Sequence, residues 1–132
     1  MNDPSTRRRR IAAAIFFVLL PLWTWKLLDP RPLPFELEEL KIIKLVLAKL
    51  LHVTMYASLT YLAGKWLPQR RPVLTFALSL LMLHGVATEI LQTFVPNRSG
   101  KATDVLIDWT GILIGLAIGR SQWRILRLKS GK

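Results

Sequence analysis

Apolar residues fall in four long runs separated by short polar or proline-rich breaks, and this pattern sets the fold. Residues 11–28 read IAAAIFFVLLPLWTWKLL and are followed by the helix-hostile stretch Asp29-Pro30-Arg31-Pro32. A second run, 42–67, ends immediately before Pro68. The third, 73–95, begins after Arg71-Pro72 and stops at the turn-forming cluster Pro96-Asn97-Arg98-Ser99-Gly100. The fourth covers about 103–119. At 1.5 Å rise per residue, about 20 apolar residues cross roughly 30 Å of hydrocarbon, and each run meets or approaches that length.

The pattern therefore predicts an all-α, polytopic membrane protein. Four transmembrane helices (about 11–28, 42–67, 73–95 and 103–119) form a compact bundle over 11–119, flanked by a basic N-terminus (1–10) and a basic tail (120–132). Composition agrees: 52% of the 132 residues are hydrophobic, above the roughly 45–50% of soluble proteins. No cysteine is present, which excludes disulfides and thiolate metal sites.

The formal net charge of +11 is unevenly placed. If four helices alternate, Arg7 to Arg10, Lys65, Arg70, Arg71, Arg120, Arg124, Arg127, Lys129 and Lys132 share one side with a single acid, Asp3. The other seven cations, Lys26, Arg31, Lys41, Lys44, Lys49, Arg98 and Lys101, are balanced by seven acids: Asp29, Glu36, Glu38, Glu39, Glu89, Asp104 and Asp108. The positive-inside rule assigns the charged side to the cytoplasm, so both termini are expected there, in the plasma membrane. The expected partner of that face is anionic lipid headgroup rather than nucleic acid. The N-terminal RRRR and apolar run also resemble a signal peptide, but Pro21-Leu22-Trp23-Thr24-Trp25-Lys26 offers no Ala-x-Ala cleavage site. The segment is expected to stay as an anchor, with Trp23 and Trp25 at the outer interface.

Ionisable groups at membrane depth cost about 2.5–3.5 kcal/mol each and need partners or a cavity. Lys49, His52 and Tyr56 are spaced i, i+3, i+7 along one stripe of the second helix. Glu89 and Gln92 share a face of the third, whereas His84 points elsewhere and reads as a helix-contact residue. On the fourth, Asp104, Asp108, Gly111 and Gly115 follow 4-3-4 spacing, and Gly111, Gly115 and Gly119 form a close-packing track. Alternating helix direction brings Lys49, Glu89, Gln92, Asp104 and Asp108 to one level in the outward half, with His52 near the midplane and Arg98 directly above. The glycine track packs helices within the unit, and a homo-oligomer interface is its alternative use.

Taken together, Lys49-x-x-His52-x-x-x-Tyr56, Glu89-x-x-Gln92-x-x-x-Pro96-x-Arg98, Asp104 and Gly111 resemble the signature of the VanZ-like family of small membrane proteins, over about 48–119. Two departures stand out: Ala48 where an acidic residue often precedes the lysine, and Asp108 where the family often has asparagine. The resemblance implies a role in the cell envelope and, through the founding member, in teicoplanin-type glycopeptide resistance.

Function is expected to centre on the outward polar group: Lys49, His52, Tyr56, Glu89, Gln92, Arg98, Asp104 and Asp108. One reading is an accessory protein binding a headgroup, a lipid-linked cell-wall precursor or a glycopeptide, with Arg98 gripping phosphate or carboxylate bidentately. Another is an intramembrane enzyme acting on a lipid phosphate by acid-base chemistry through Glu89 or His52. A third is a small oligomeric transporter with titratable relay groups. No nucleophile or metal signature such as H-E-x-x-H occurs, so no metal or cofactor is expected, although His52, Glu89, Asp104 and Asp108 have suitable donor chemistry.

Overall fold

Capping and proline placement set where each helix begins and ends. In the computed structural model these are α1 (Pro4–Leu28), α2 (Lys41–Trp66), α3 (Arg71–Gln92) and α4 (Ala102–Ser130), with no strand among the described residues. The structure describes residues 3–31, 40–68 and 70–130, with side chains through Ser121. The acidic part of the first connection, Glu36, Glu38 and Glu39, lies outside them.

α1 starts seven residues before the apolar run. The Asp3 carboxylate accepts from Ser5 N at 3.2 Å and from the Ser5 hydroxyl, and Pro4 occupies the first turn, where its missing N–H costs nothing. Helices α1 and α2 end where Asp29 and Leu67 turn extended ahead of Pro30 and Pro68. α3 stops at Gln92, three residues short of the expected 95. Its last turn tightens into i to i−3 bonds from Thr93, Phe94 and Val95, after which Asn97 adopts φ 59° to reverse the chain. α4 runs past 119 to Ser130, so the start of the basic tail is helical.

Each helix is long and apolar enough to cross a membrane, α4 over Ala102–Ser121. Large apolar side chains such as Phe17, Ile42, Leu83 and Leu113 lie exposed on the outside, as a lipid-facing surface requires. The interior gathers Phe16, Trp23 and Leu27 of α1, Tyr56, Leu59 and Ala63 of α2, Leu81 of α3 and Ile112 of α4.

Three contacts fix the directions of the helices. Arg9 near the start of α1 donates to the Trp66 carbonyl at the end of α2, at 3.1 and 3.3 Å. Arg98, between α3 and α4, reaches the end of α1. Lys49 in the first half of α2 meets Asp104 at the start of α4. Successive helices therefore alternate, and α2 and α4 run parallel.

The glycine track explains the closest approach. A Cβ on Gly111 would sit 2.6 Å from the Val53 carbonyl oxygen, and one on Gly115 would collide with the Ala57 carbonyl. α2 and α4 thus meet main chain to main chain, while α1 lies chiefly on α2 and α3 chiefly on α4. Gly119 is buried one turn further on.

Candidate functional site

Because α2 and α4 run parallel in register, their polar positions pair rung by rung. Lys49 Nζ lies 3.1 Å from Asp104 Oδ1, and His52 Nδ1 lies 2.7 Å from Asp108 Oδ1. The next rungs set Gly111 against Val53 and Tyr56, then Gly115 against Ala57 and Thr60. The 3-4 spacing on one helix and the 4-3-4 spacing on the other are two sides of a single ladder. Asp104 also fits the first turn of α4, where the helix dipole favours an acid.

α3 supplies the third wall. Glu89 and Gln92 are each only 4% exposed, and Glu89 Oε2 accepts the Lys101 backbone N–H at 2.8 Å. Gly100 makes this approach possible, since any Cβ there would strike the Glu89 carbonyl. Gly85, one turn earlier on α3, leaves space beside Asp108: its Cβ would lie 3.1 Å from Oδ2.

Arg98 departs from expectation. Rather than presenting its guanidinium to a headgroup, it donates from Nε to the Asp29 carbonyl at 2.9 Å and from Nη2 to the Lys26 carbonyl at 3.0 Å. The orphan carbonyls at the end of α1 attract a cation there, and the planar fork spans two of them. Burial pulls this guanidinium below its ordinary pKa, with Asp29 and Glu89 opposing. In the same corner the Arg31 backbone N–H holds the Asp29 carboxyl below the usual range, with help from Lys26 at 3.3 Å.

Tyr56 continues the Lys49–His52 stripe one turn further and extends it toward α3. Its hydroxyl lies 2.9 Å from His84 Nδ1, and His84 Nε2 lies 2.9 Å from Thr24 Oγ1. His84 is therefore the helix-contact residue its spacing implied, tying α1, α2 and α3 together. Trp23, expected at the interface, is buried and stands edge-on to the His52 ring at 5.2 Å, whereas Trp25 is exposed. Trp23, Thr24, Gly85 and Gly100 border the polar layer without any sequence spacing that would have marked them.

A family model described as VanZ/LLP1 matches residues 2–126, nearly the whole chain. The chain belongs to the VanZ/LLP1 family. No curated protein and no solved structure matches it. The polar side chains on α2, α3 and α4 that carry the resemblance to this family lie in one layer, and Arg98 closes it from above by anchoring α1.

Within this VanZ/LLP1 layer some buried hydrogen-bonding capacity is unused. Glu89 Oε1, Gln92 Nε2 and Asp108 Oδ2 have no partner. Buried polar atoms in native proteins are nearly always paired, so these three leave hydrogen-bonding capacity unused inside the bundle. One donor atom from each of His52, Glu89 and Asp108 lies within 4.8 Å of the others.

Proposed function

We propose that this VanZ/LLP1 membrane protein is a cell-envelope binding protein that holds the polar head of an amphiphile, with a lipid-linked cell-wall precursor as the ligand class. The observation that carries the reading is the gradation of the polar layer. Side-chain exposure falls from 38% at Lys49 and 23% at Asp104 to 12% at His52 and 0% at Asp108. A polar path open at one end and closed at the other, inside a bundle whose exterior is apolar, admits a headgroup while its tail stays in hydrocarbon. The positive-inside rule turns the open end outward, toward the outer leaflet of the plasma membrane, with both termini in the cytoplasm. Gln92 offers a donor, and Glu89 and Asp108 offer acceptors, to hydroxyl and amide groups of the ligand. Sequestering a precursor in this way would change the target that glycopeptides meet at the membrane surface.

The test is binding in lipid nanodiscs to a polyisoprenyl diphosphate carrying a sugar-peptide head, read through tryptophan fluorescence. Trp23, in contact with His52, is the built-in reporter. Saturable binding that weakens at least tenfold in Gln92→Ala supports the reading. An equal response to phosphatidylglycerol, or to the polyisoprenyl phosphate without a head, defeats it.

One observation favours a second reading, an intramembrane enzyme acting on a lipid phosphate. The 2.7 Å His52–Asp108 pair has the arrangement of a general base held by a carboxylate. Release of inorganic phosphate from polyisoprenyl diphosphate, abolished in His52→Ala, would establish turnover over simple binding.

A further inference from the structure

We infer that His52, Glu89 and Asp108, one from each of α2, α3 and α4, form a binding site for a divalent transition-metal ion. Each can present one donor atom, and the three atoms lie within 4.8 Å of one another. Around a tetrahedral ion at about 2.1 Å, ligand atoms stand roughly 3.4 Å apart, so side-chain rotations of about an ångström complete the set.

Burial supplies the independent reason. Glu89 is 4% exposed and Asp108 0%, yet Glu89 Oε1 and Asp108 Oδ2 meet no hydrogen-bond donor. Two cations bordering the layer are committed elsewhere: Arg98 is engaged by the Lys26 and Asp29 carbonyls, and Lys49 by Asp104. Two carboxylates in a membrane interior call for two positive charges in one compact place, and a divalent ion supplies them. The missing Cβ of Gly85 leaves room beside Asp108 Oδ2.

The donor set narrows the ion. One imidazole with two carboxylates and no thiolate suits Zn²⁺ or Mn²⁺ rather than a soft ion such as Cu⁺, and the imidazole argues against Mg²⁺ or Ca²⁺. Three protein ligands leave a position open, as catalytic and ligand-binding metal sites do. The unpartnered Gln92 amide, one turn from Glu89 on the same helix, can donate to an oxygen bound there.

This inference rests on reading the layer as a binding site, and it removes a difficulty of that reading. Without an ion the closed end of the path is acidic and repels a phosphate; with one it attracts it. The ion is thus the group that would hold the diphosphate of the proposed ligand.

The test uses the full chain in detergent, stripped with chelator and titrated with MnCl2. One ion per chain should be retained after desalting, raise the unfolding temperature, and show a single imidazole nitrogen coupled to Mn²⁺ by pulsed electron paramagnetic resonance. The chain has only two histidines; the coupling should persist in His84→Ala and vanish in His52→Ala. Glu89→Gln and Asp108→Asn should each raise the dissociation constant at least tenfold, while Asp29→Asn leaves it unchanged. Failure to retain Mn²⁺ or Zn²⁺, or retention without imidazole coupling, overturns the site even if the carboxylate variants do not fold. A protonated-carboxyl infrared band that survives saturating Mn²⁺ and is lost in Asp108→Asn overturns it too. Binding of the lipid-linked probe that is indifferent to chelator removes the metal and spares the binding function; if metal binds and the probe does not, the reverse holds.

Discussion

His52 Nδ1 lies 2.7 Å from Asp108 Oδ1, linking two helices 56 residues apart in sequence, and Asp108 is wholly buried. Its other oxygen finds no partner, so the pair ties two helices and leaves one carboxylate oxygen unserved. Removing either member should leave the other buried without its hydrogen-bond partner. In a double-mutant cycle of His52→Ala with Asp108→Asn, followed by denaturant unfolding in micelles, a coupling of about 1 kcal/mol or more is expected, at or above the ~0.6 kcal/mol typical of interhelical bonds in membranes. Additive losses would show that the two side chains act separately.

The main-chain contact of α4 with α2 predicts a steep size dependence. Gly111→Ala and Gly115→Ala should each cost about 1–3 kcal/mol, because the new methyl meets carbonyl oxygens that cannot move aside alone. Leu113→Ala, on the lipid-facing side of the same helix, should shift thermal unfolding far less.

Arg98 is expected to behave as a clamp on α1. Arg98→Lys should cost about 1–3 kcal/mol of stability, since a point charge cannot span the two carbonyls the fork reaches, and should leave affinity for the precursor probe near the native value. A variant of full stability and lost affinity would return Arg98 to the ligand.

The same corner has a pH signature. Asp29 has a lowered carboxyl pKa in the folded protein, so its contribution is present above the ordinary aspartate range, about 3.9, and is lost as the pH falls through the lowered value. Thermal unfolding of Asp29→Asn should lag the native protein at about pH 4 and above, and the gap should close only as the pH falls below about 3.9 and through the lowered value.

Orientation can be read directly. Reporter fusions after Pro68 and after Lys132 should report cytoplasm, and one at Ser99 the outside. A reversed pattern would place the polar layer in the inner leaflet and overturn the proposed envelope-facing role.

Much of this architecture was legible in the chain. The spans were clear because lipid imposes length and composition together, and the shared level of Lys49, Glu89, Asp104 and Asp108 followed from helical rise and alternating direction alone. Helix ends were less so: Asp3 and Pro4 start α1 early, and the tightened turn after Gln92 stops α3 short. The Arg98 anchor is not legible, because the carbonyls it serves belong to a helix some 70 residues away, a contact that no spacing encodes. The convergence of His52, Glu89 and Asp108 is likewise invisible as a metal signature, since its members sit on three different helices. Trp23 has the position of an interfacial anchor in the sequence, yet the bundle encloses it against His52.

The abutment of Gly111 and Gly115 on α2 limits how the molecule can move. Neither α2 nor α4 can slip past the other without prying backbone from backbone, so the pair behaves as a keel. Any widening that admits a ligand must therefore come from α1 and α3 swinging against it, with the Arg98 latch and the His84 bridge as the joints that yield.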